Sequence, residues 1–285
     1  MSKTASFKDY FQLVKPGMVL GNLLPAAAGY FLASGLKFKL VSIVMTLVGI
    51  GLIMGAACAV NNLADRDIDA KMERTKGRPS ASGVVGVSSG LVFVVLLLLI
   101  GFSLLLIWAN ALSMLIGAIG FIDYALVYTY LKRKSHHATL VGSIAGASPV
   151  VGAYAAFSGH ITLAALVIGL MMLLWQMPHF YAISLYRGSD YRRAEVPVLP
   201  LVKGRKYTAK AMFIYSLLFS LSVVALYFVV NLSLAYLLIM GFVVAGWSIF
   251  NLKGLRLSDL DSWARRSFGY SLLVLTTMSF MVALR

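Results

Sequence analysis

The stretch Asn61-Asn62-Leu63-Ala64-Asp65-Arg66-Asp67-Ile68-Asp69-Ala70-Lys71-Met72-Glu73-Arg74-Thr75-Lys76-Gly77-Arg78-Pro79 holds four of the chain's ten acids and five of its 25 basic residues. Asn61, Asp65 and Asp69 recur every four residues, so on a helix they share one face. Three oxygen-bearing side chains in one stripe repel one another unless a cation binds them. Mg²⁺ suits such a stripe, because it binds through a few carboxylates plus substrate phosphates. The bases that follow, Lys71, Arg74, Lys76 and Arg78, suit the phosphates: Arg as a bidentate fork, Lys as a point charge. The pattern predicts a metal–diphosphate site at a membrane face. The plainer alternative is a solvated, positively charged loop.

A second stretch with chemical content is Trp175-Gln176-Met177-Pro178-His179-Phe180-Tyr181. Pro178 cannot donate to the carbonyl of Leu174, which frees a backbone oxygen inside a helix. Trp175 and His179 fall one turn apart on one face, with Gln176 beside them, so the cluster predicts a ligand cavity near a membrane surface. The loop that follows, from Arg187 through Asp190, Arg192 and Arg193 to Lys203, Arg205 and Lys206, repeats the order of acids then bases. Tyr128 and Lys132 stand four apart and could both reach a phosphate, or else form an aromatic belt with topology charges. Asp123 is an acid inside an apolar run. It is either functional or paired with a polar neighbour.

These groups must be positioned by membrane helices. The 285 residues are 60% hydrophobic and 12% charged, and apolar runs of spanning length recur throughout. They lie at about 18–34, 40–63, 84–108, 111–131, 138–157, 162–186, 209–230, 232–251 and 267–284. No alternating barrel pattern occurs, so the expected fold is all-α, a polytopic bundle of about nine helices forming a single domain over 1–285. Loops 64–83 and 187–208 are its expected active-site loops. Residues 1–16 are expected to include a surface helix of amphipathic character, ended by Pro16-Gly17. Gly17, Gly21, Pro25 and Gly29 form a small-residue stripe suited to close helix packing, or to facing a ligand.

The net charge of +15 is no argument for nucleic acid, because of its distribution. Taking loops alternately, 22 of the 25 Lys and Arg fall on one side, and only Lys37, Lys39 and Arg285 on the other. That asymmetry predicts a cytoplasmic N-terminus and a cytoplasmic site in a bacterial inner membrane. Cys58, the only cysteine, lies in an apolar run, so no disulfide framework is expected. The first 15 residues lack an apolar signal core, so no cleaved targeting segment is expected.

The first stretch resembles the N-[DN]-x-x-D-x-x-x-D motif of the UbiA superfamily of membrane prenyltransferases, here Asn61-Asn62, Asp65 and Asp69. Arg74-Thr75-Lys76-Gly77-Arg78-Pro79 is similar to that superfamily's R-T-x-x-R-P, and Tyr128 to Arg133 to its Y-x-x-x-K-R. Asn62, the run Asp65 to Asp69, Trp175 to His179, and Asp190-Tyr191 with Val196-Pro197-Val198-Leu199-Pro200 resemble the branch that farnesylates haem. Quinone-pathway members carry a second D-x-x-x-D in the sixth loop. Here Asp190 stands without an acid four residues earlier, where Tyr186 is found.

The resemblance implies transfer of farnesyl from farnesyl diphosphate to the 2-vinyl group of haem b, with addition of water. It implies Mg²⁺ on Asn61, Asp65 and Asp69, and a diphosphate site of Arg66, Lys71, Arg74, Arg78, Tyr128, Lys132 and Lys203. Asp65, Asp69, Arg66, Lys71 and Asp190 are the implied catalytic set. Trp175, Gln176 and His179 are the implied haem contacts, Trp175 and Tyr181 the faces for an allylic cation, and Arg187, Arg192 or Arg193 the partners of propionates. Haem A synthase or a terminal oxidase would be the protein partners. A prenyltransferase acting on an aromatic acid is the nearest rival, and a small-molecule transporter is the rival of a different class.

Overall fold

The computed structural model describes residues 5–37 and 39–283. Lys3 and Arg285, two of the charges in the topology argument, lie outside the described residues. All regular structure among the described residues is helical. Apolar runs longer than a bilayer is thick leave the backbone no other way to satisfy its own hydrogen bonds. Among the described residues eight helices are long and apolar enough to cross a membrane, so this is a multi-pass membrane protein.

A short helix α1 (Phe7–Leu13) precedes α2 (Pro16–Ser34) and α3 (Leu40–Ala64). Pro16 does not merely end α1. It occupies the first turn of α2, where its missing N–H costs nothing. The short α4 (Arg66–Lys71) continues almost directly from α3. Next come α5 (Val87–Trp108) and α6 (Ala111–Ile122), then a π-helical segment (Asp123–Tyr128) that passes into α7 (Thr129–Leu131). The remaining elements are α8 (Ala138–Ser158), α9 (Leu163–Tyr186), α10 (Gly188–Arg193), α11 (Leu199–Val202), α12 (Arg205–Val230), α13 (Leu234–Lys253) and α14 (Leu260–Ala283). The ninth run expected from hydropathy corresponds to α14. It begins earlier than expected, at Leu260, and its charged first turns (Asp261, Arg265, Arg266) leave it outside the eight.

Neighbouring helices pack in a closed circuit, α2–α3–α6–α8–α9–α14 and back to α2, around a central cavity. α5 packs outside on α3, and α12 and α13 pack outside on α9 and α14; none of the three lines the cavity. This matches the featureless Leu and Val of α5, which turn to lipid. The small-residue stripe of α2 divides its work. Gly29 packs so closely on α8 that a Cβ there would come within 2.4 Å of the Val150 carbonyl oxygen, which seals one end. Gly17 and Gly21 instead line the cavity.

Candidate active site

The cavity has a volume of about 680 Å³. One wall is a stripe on α3, Ile50, Ile53, Met54, Ala57, Cys58 and Asn61, which runs on into Asp65, Ile68 and Asp69. The three- and four-residue spacing marks one helix face. Backbone bonds from Asp65 N to Asn61 O (2.9 Å) and from Asp69 N to Asp65 O (2.7 Å) carry the helical course across the junction. The expected stripe of Asn61, Asp65 and Asp69 therefore faces one space. The other wall is Ser113, Gly117 and Gly120 on α6, followed by Tyr124, Tyr128 and Lys132.

At the polar end every acid meets a base. Lys132 forms a short ion pair with buried Asp65, and the Arg133 guanidinium lies 3.7 Å from the other carboxylate oxygen of that residue. Arg78 donates to Asp69 at 2.7 Å and to Asn62 at 3.1 Å. Asn62 in turn donates to the Leu13 carbonyl at 2.8 Å, tying α1 to the motif. Burial pushes the Asp65 carboxyl above its ordinary range, opposed by Lys132. Arg133 binds exposed Asp67 through two bonds of 2.8 and 2.7 Å, chiefly by which it holds that carboxyl down at about 2.

The donor set fits a hard divalent cation that completes its shell elsewhere. Asp65 Oδ1 is buried and has no hydrogen-bond partner among the described residues. Asp69 stands one turn away. No group of three or more His, Cys, Asp or Glu suited to a metal ion occurs among the described residues. The pair of carboxylates suits Mg²⁺, which takes one or two carboxylates plus phosphate and water oxygens.

The second cluster lies in the same cavity, which Trp175, Gln176 and His179 all line. Trp175 stacks on His179 with ring centres 4.7 Å apart, and its indole N–H donates to the Ser271 carbonyl at 2.8 Å. Gln176 donates to the Ser143 and Met172 carbonyls at 3.2 and 2.9 Å. Gly146 makes room for it, since a Cβ there would meet Gln176 Oε1 at 1.9 Å. His179 Nδ1 lies 2.8 Å from Ser271 Oγ, and that hydroxyl gives its own proton to the Phe268 carbonyl at 2.6 Å. Nδ1 is therefore the donor, and Nε2 keeps its lone pair.

Several expected site residues fall elsewhere. Arg66 and Lys71 are exposed and off the cavity. At about 100° per residue, one step past Asp65 and two past Asp69 turn a side chain away from the stripe. Lys203 is exposed and off the cavity, placed at the end of α11; its charge reaches His136, which does line it. Asp190 is buried and ion-paired with Arg193, so neither faces the cavity. Arg192 is also off it. The second polar loop contributes Arg187, Tyr191 and Val196 to Val198 instead. Tyr181 packs near Tyr215 in a separate core, away from Trp175. Arg74, Arg78, Tyr128 and Lys132 do line the cavity.

Asp123 accepts the Ala145 backbone N–H at 2.9 Å. Pro149 cannot donate to the Ala145 carbonyl, and Ser148 Oγ does so at 2.9 Å. Both backbone groups of Ala145 are thus satisfied by side chains.

Sequence reasoning counted Lys15 only as a topology charge. Its ammonium is half-buried at the polar end, donates to Asn61 Oδ1 at 2.6 Å, and lies 5.7 Å from the Tyr124 ring centre. Burial lowers it to about 8. The one available signal was its place before Pro16 at a membrane edge. Tyr124, stacked on Tyr128 at 5.1 Å, was also passed over.

Comparison with known proteins places this geometry. The UbiA prenyltransferase family profile matches residues 22–273. Protoheme IX farnesyltransferase 1 of Shewanella frigidimarina is 39% identical, covering 99% of this chain and 93% of its own. The protoheme IX farnesyltransferase of Citrobacter koseri is 38% identical, covering 97% and 94%. In fold, a UbiA homolog from Archaeoglobus fulgidus bound to GPP and Mg²⁺ superposes with a TM-score of 0.72 at 15% identity, over 96% of this chain and 99% of that one.

Proposed function

Since the chain belongs to the UbiA prenyltransferase family, we propose that it transfers the farnesyl group of farnesyl diphosphate to the 2-vinyl group of haem b, giving haem O. The observation that carries this reading is one cavity with two chemically different regions. Its polar end combines Asp65 and Asp69 with Lys15, Arg74, Arg78 and Lys132; its other lobe presents Trp175, Gln176 and His179. The names of the two bacterial relatives support the same donor and acceptor.

Asp65 Oδ1 and Asp69 would hold Mg²⁺, and Asn61 Oδ1 would join them once Lys15 swings away. When bound, the metal supplies positive charge to the diphosphate oxygens. Lys15, Arg74, Arg78 and Lys132 add fixed positive charge where the leaving group gains negative charge, the interaction that usually dominates such steps. The C1–O bond of the donor breaks and its electron pair leaves on the diphosphate. The Tyr124, Tyr128 and Trp175 rings offer π faces to the allylic cation. Tyr181 has no part in this. The vinyl π electrons of the acceptor then form the new C–C bond. Water adds to the cation produced, and a proton is released.

The α3 and α6 stripes form an apolar slot for the isoprenoid tail. His179, with its free Nε2, is the haem contact. Lys15, the Asn61–Pro79 stretch and Lys132 all lie at the polar end, and the positive-inside asymmetry supports a cytoplasmic position for that end in a bacterial inner membrane. On that reading α14 is the ninth span. The product would pass to haem A synthase or a terminal oxidase.

The test is incubation of purified protein with haem b, Mg²⁺ and geranyl, farnesyl or geranylgeranyl diphosphate, read by product mass. The expected product is haem b plus one farnesyl and one water. Prenylation of an aromatic acid with haem b untouched would overturn the reading.

A further inference from the structure

Two arginines stand at the end of the lobe that holds Trp175, Gln176 and His179, Arg187 on the cavity lining and Arg265 exposed just beyond it, and neither belongs to the acidic stretch. On α9 the cavity-lining residues Gln176, His179, Ile183 and Tyr186 share a face that ends at Arg187, itself on the cavity. On α14 the lining residues Phe268, Leu272 and Leu275 share a face, and Arg265 continues it by one turn toward the same end. From His179 to Arg187 the helix rises about 12 Å, along walls that are mainly aromatic and apolar. Both guanidinium groups gather over one ring. The Arg187 carbon lies 5.5 Å from the Tyr186 centroid and the Arg265 carbon 5.4 Å from it.

The two cationic centres are thus within about 11 Å of each other. Neither has an ion-pair partner among the described residues. The nearby acids are already engaged, Asp190 by Arg193 and Asp261 by Arg205. A fixed pair of like charges above an apolar slot favours an anionic ligand with an apolar body. Neither guanidinium makes a side-chain hydrogen bond among the described residues, so their N–H groups are available to grip carboxylates in bidentate fashion.

We propose that Arg187 and Arg265, with Tyr186 as their shared platform, bind the two carboxylates of the acceptor and orient it edge-on. This rests on the reading of haem b as acceptor. Haem b carries both propionates on one side of the macrocycle and its vinyl groups on the opposite half. Holding the propionates at the rim directs the vinyl half into the cavity, where the allylic cation forms. The arginine pair thereby selects which edge of the ring reacts.

The experiment is an absorbance titration of full-length protein in lipid nanodiscs with haem b and with its dimethyl ester, whose propionates carry no charge. Wild type, Arg187→Gln, Arg265→Gln and the double variant are compared, and farnesyl diphosphate affinity is measured in parallel. Wild type should bind haem b at least tenfold tighter than the ester. Each single variant should lose about tenfold in haem b affinity, and the double variant should bind acid and ester alike, with farnesyl diphosphate affinity unchanged. Equal binding of acid and ester by wild type, which needs no variant to fold, would overturn the proposal. So would discrimination that survives in the double variant, or a loss of diphosphate affinity in Arg187→Gln. If wild type binds neither porphyrin, the haem reading itself fails.

Discussion

The Lys15 ammonium donates to Asn61 Oδ1 at 2.6 Å, so the chain's own cation occupies an oxygen of the acidic stripe. The Asn61 amide nitrogen is also engaged, donating to Thr129 Oγ1 at 2.9 Å. Lys15 reaches this position from a left-handed backbone conformation, φ 51°, directly before a proline. That conformation is uncommon for a residue with a Cβ, and the position before proline favours extended backbone. Strain of this kind costs about 1–3 kcal/mol and tends to cluster at functional sites.

Lys15→Gly should therefore separate stability from binding. Glycine accepts the left-handed conformation, so the Tm of the purified protein should hold or rise. Farnesyl diphosphate affinity should fall about tenfold with the loss of a half-buried cation. A binding isotherm unchanged from wild type would remove Lys15 from the diphosphate site.

Asp65→Asn and Asp69→Asn should each lower turnover by about a hundredfold or more, with insertion into the membrane intact. Asp65→Asn removes the carboxylate that Lys132 and Arg133 face, and Asp69→Asn the one that Arg78 grips. Turnover should be partly restored at high Mg²⁺ for Asp69→Asn and less so for Asp65→Asn, whose Oδ1 accepts no hydrogen bond among the described residues. Near wild-type rates for both variants at low Mg²⁺ would defeat the metal assignment.

The acidic stripe was legible because it is local: residues four apart on a helix share a face wherever the helix lies. The Trp175–His179 cluster was legible for the same reason. Spacing also argues against Arg66 and Lys71, since the periodicity that gathers Asp65 and Asp69 turns their neighbours outward; charge type alone had placed them in the site. Lys15 and Ser271 meet the site only through packing of helices far apart in sequence. The partner of Asp123 is a backbone N–H, which leaves no sequence signature.

Asp123 marks the start of the π-helical segment, and the wider turn shows in the bond from Thr129 Oγ1 to the Tyr124 carbonyl, five residues back, at 2.8 Å. That segment aims Tyr124 and Tyr128 at the cavity and leads to Lys132. Asp123→Leu removes the carboxylate that accepts the Ala145 N–H, a charge-assisted bond whose loss should cost about 1–3 kcal/mol and lower the Tm. It should also raise the KM for farnesyl diphosphate more than it lowers kcat. Asp123→Asn keeps an acceptor oxygen and should restore most of both. If Asn and Leu behave alike in stability and KM, the bond to Ala145 is not what holds the segment.

His179 is held for a neutral-ligand role. Ser271 spends its hydroxyl proton on the Phe268 carbonyl, so His179 must donate from Nδ1, and Nε2 is left to accept a hydrogen bond or bind iron. Trp175 and Phe268 flank the ring at 4.7 Å each, which fixes its plane. On the proposed reading the cations of the polar end serve the diphosphate, and a neutral imidazole adds little there. His179→Ala should change the absorption spectrum of bound haem b or weaken haem affinity, with farnesyl diphosphate affinity retained. Ser271→Ala should give a smaller change in the same direction, because the tautomer loses its anchor while the ring stays stacked. A haem spectrum and affinity unchanged in His179→Ala, together with full turnover, would reduce His179 to a packing residue between Trp175 and Phe268.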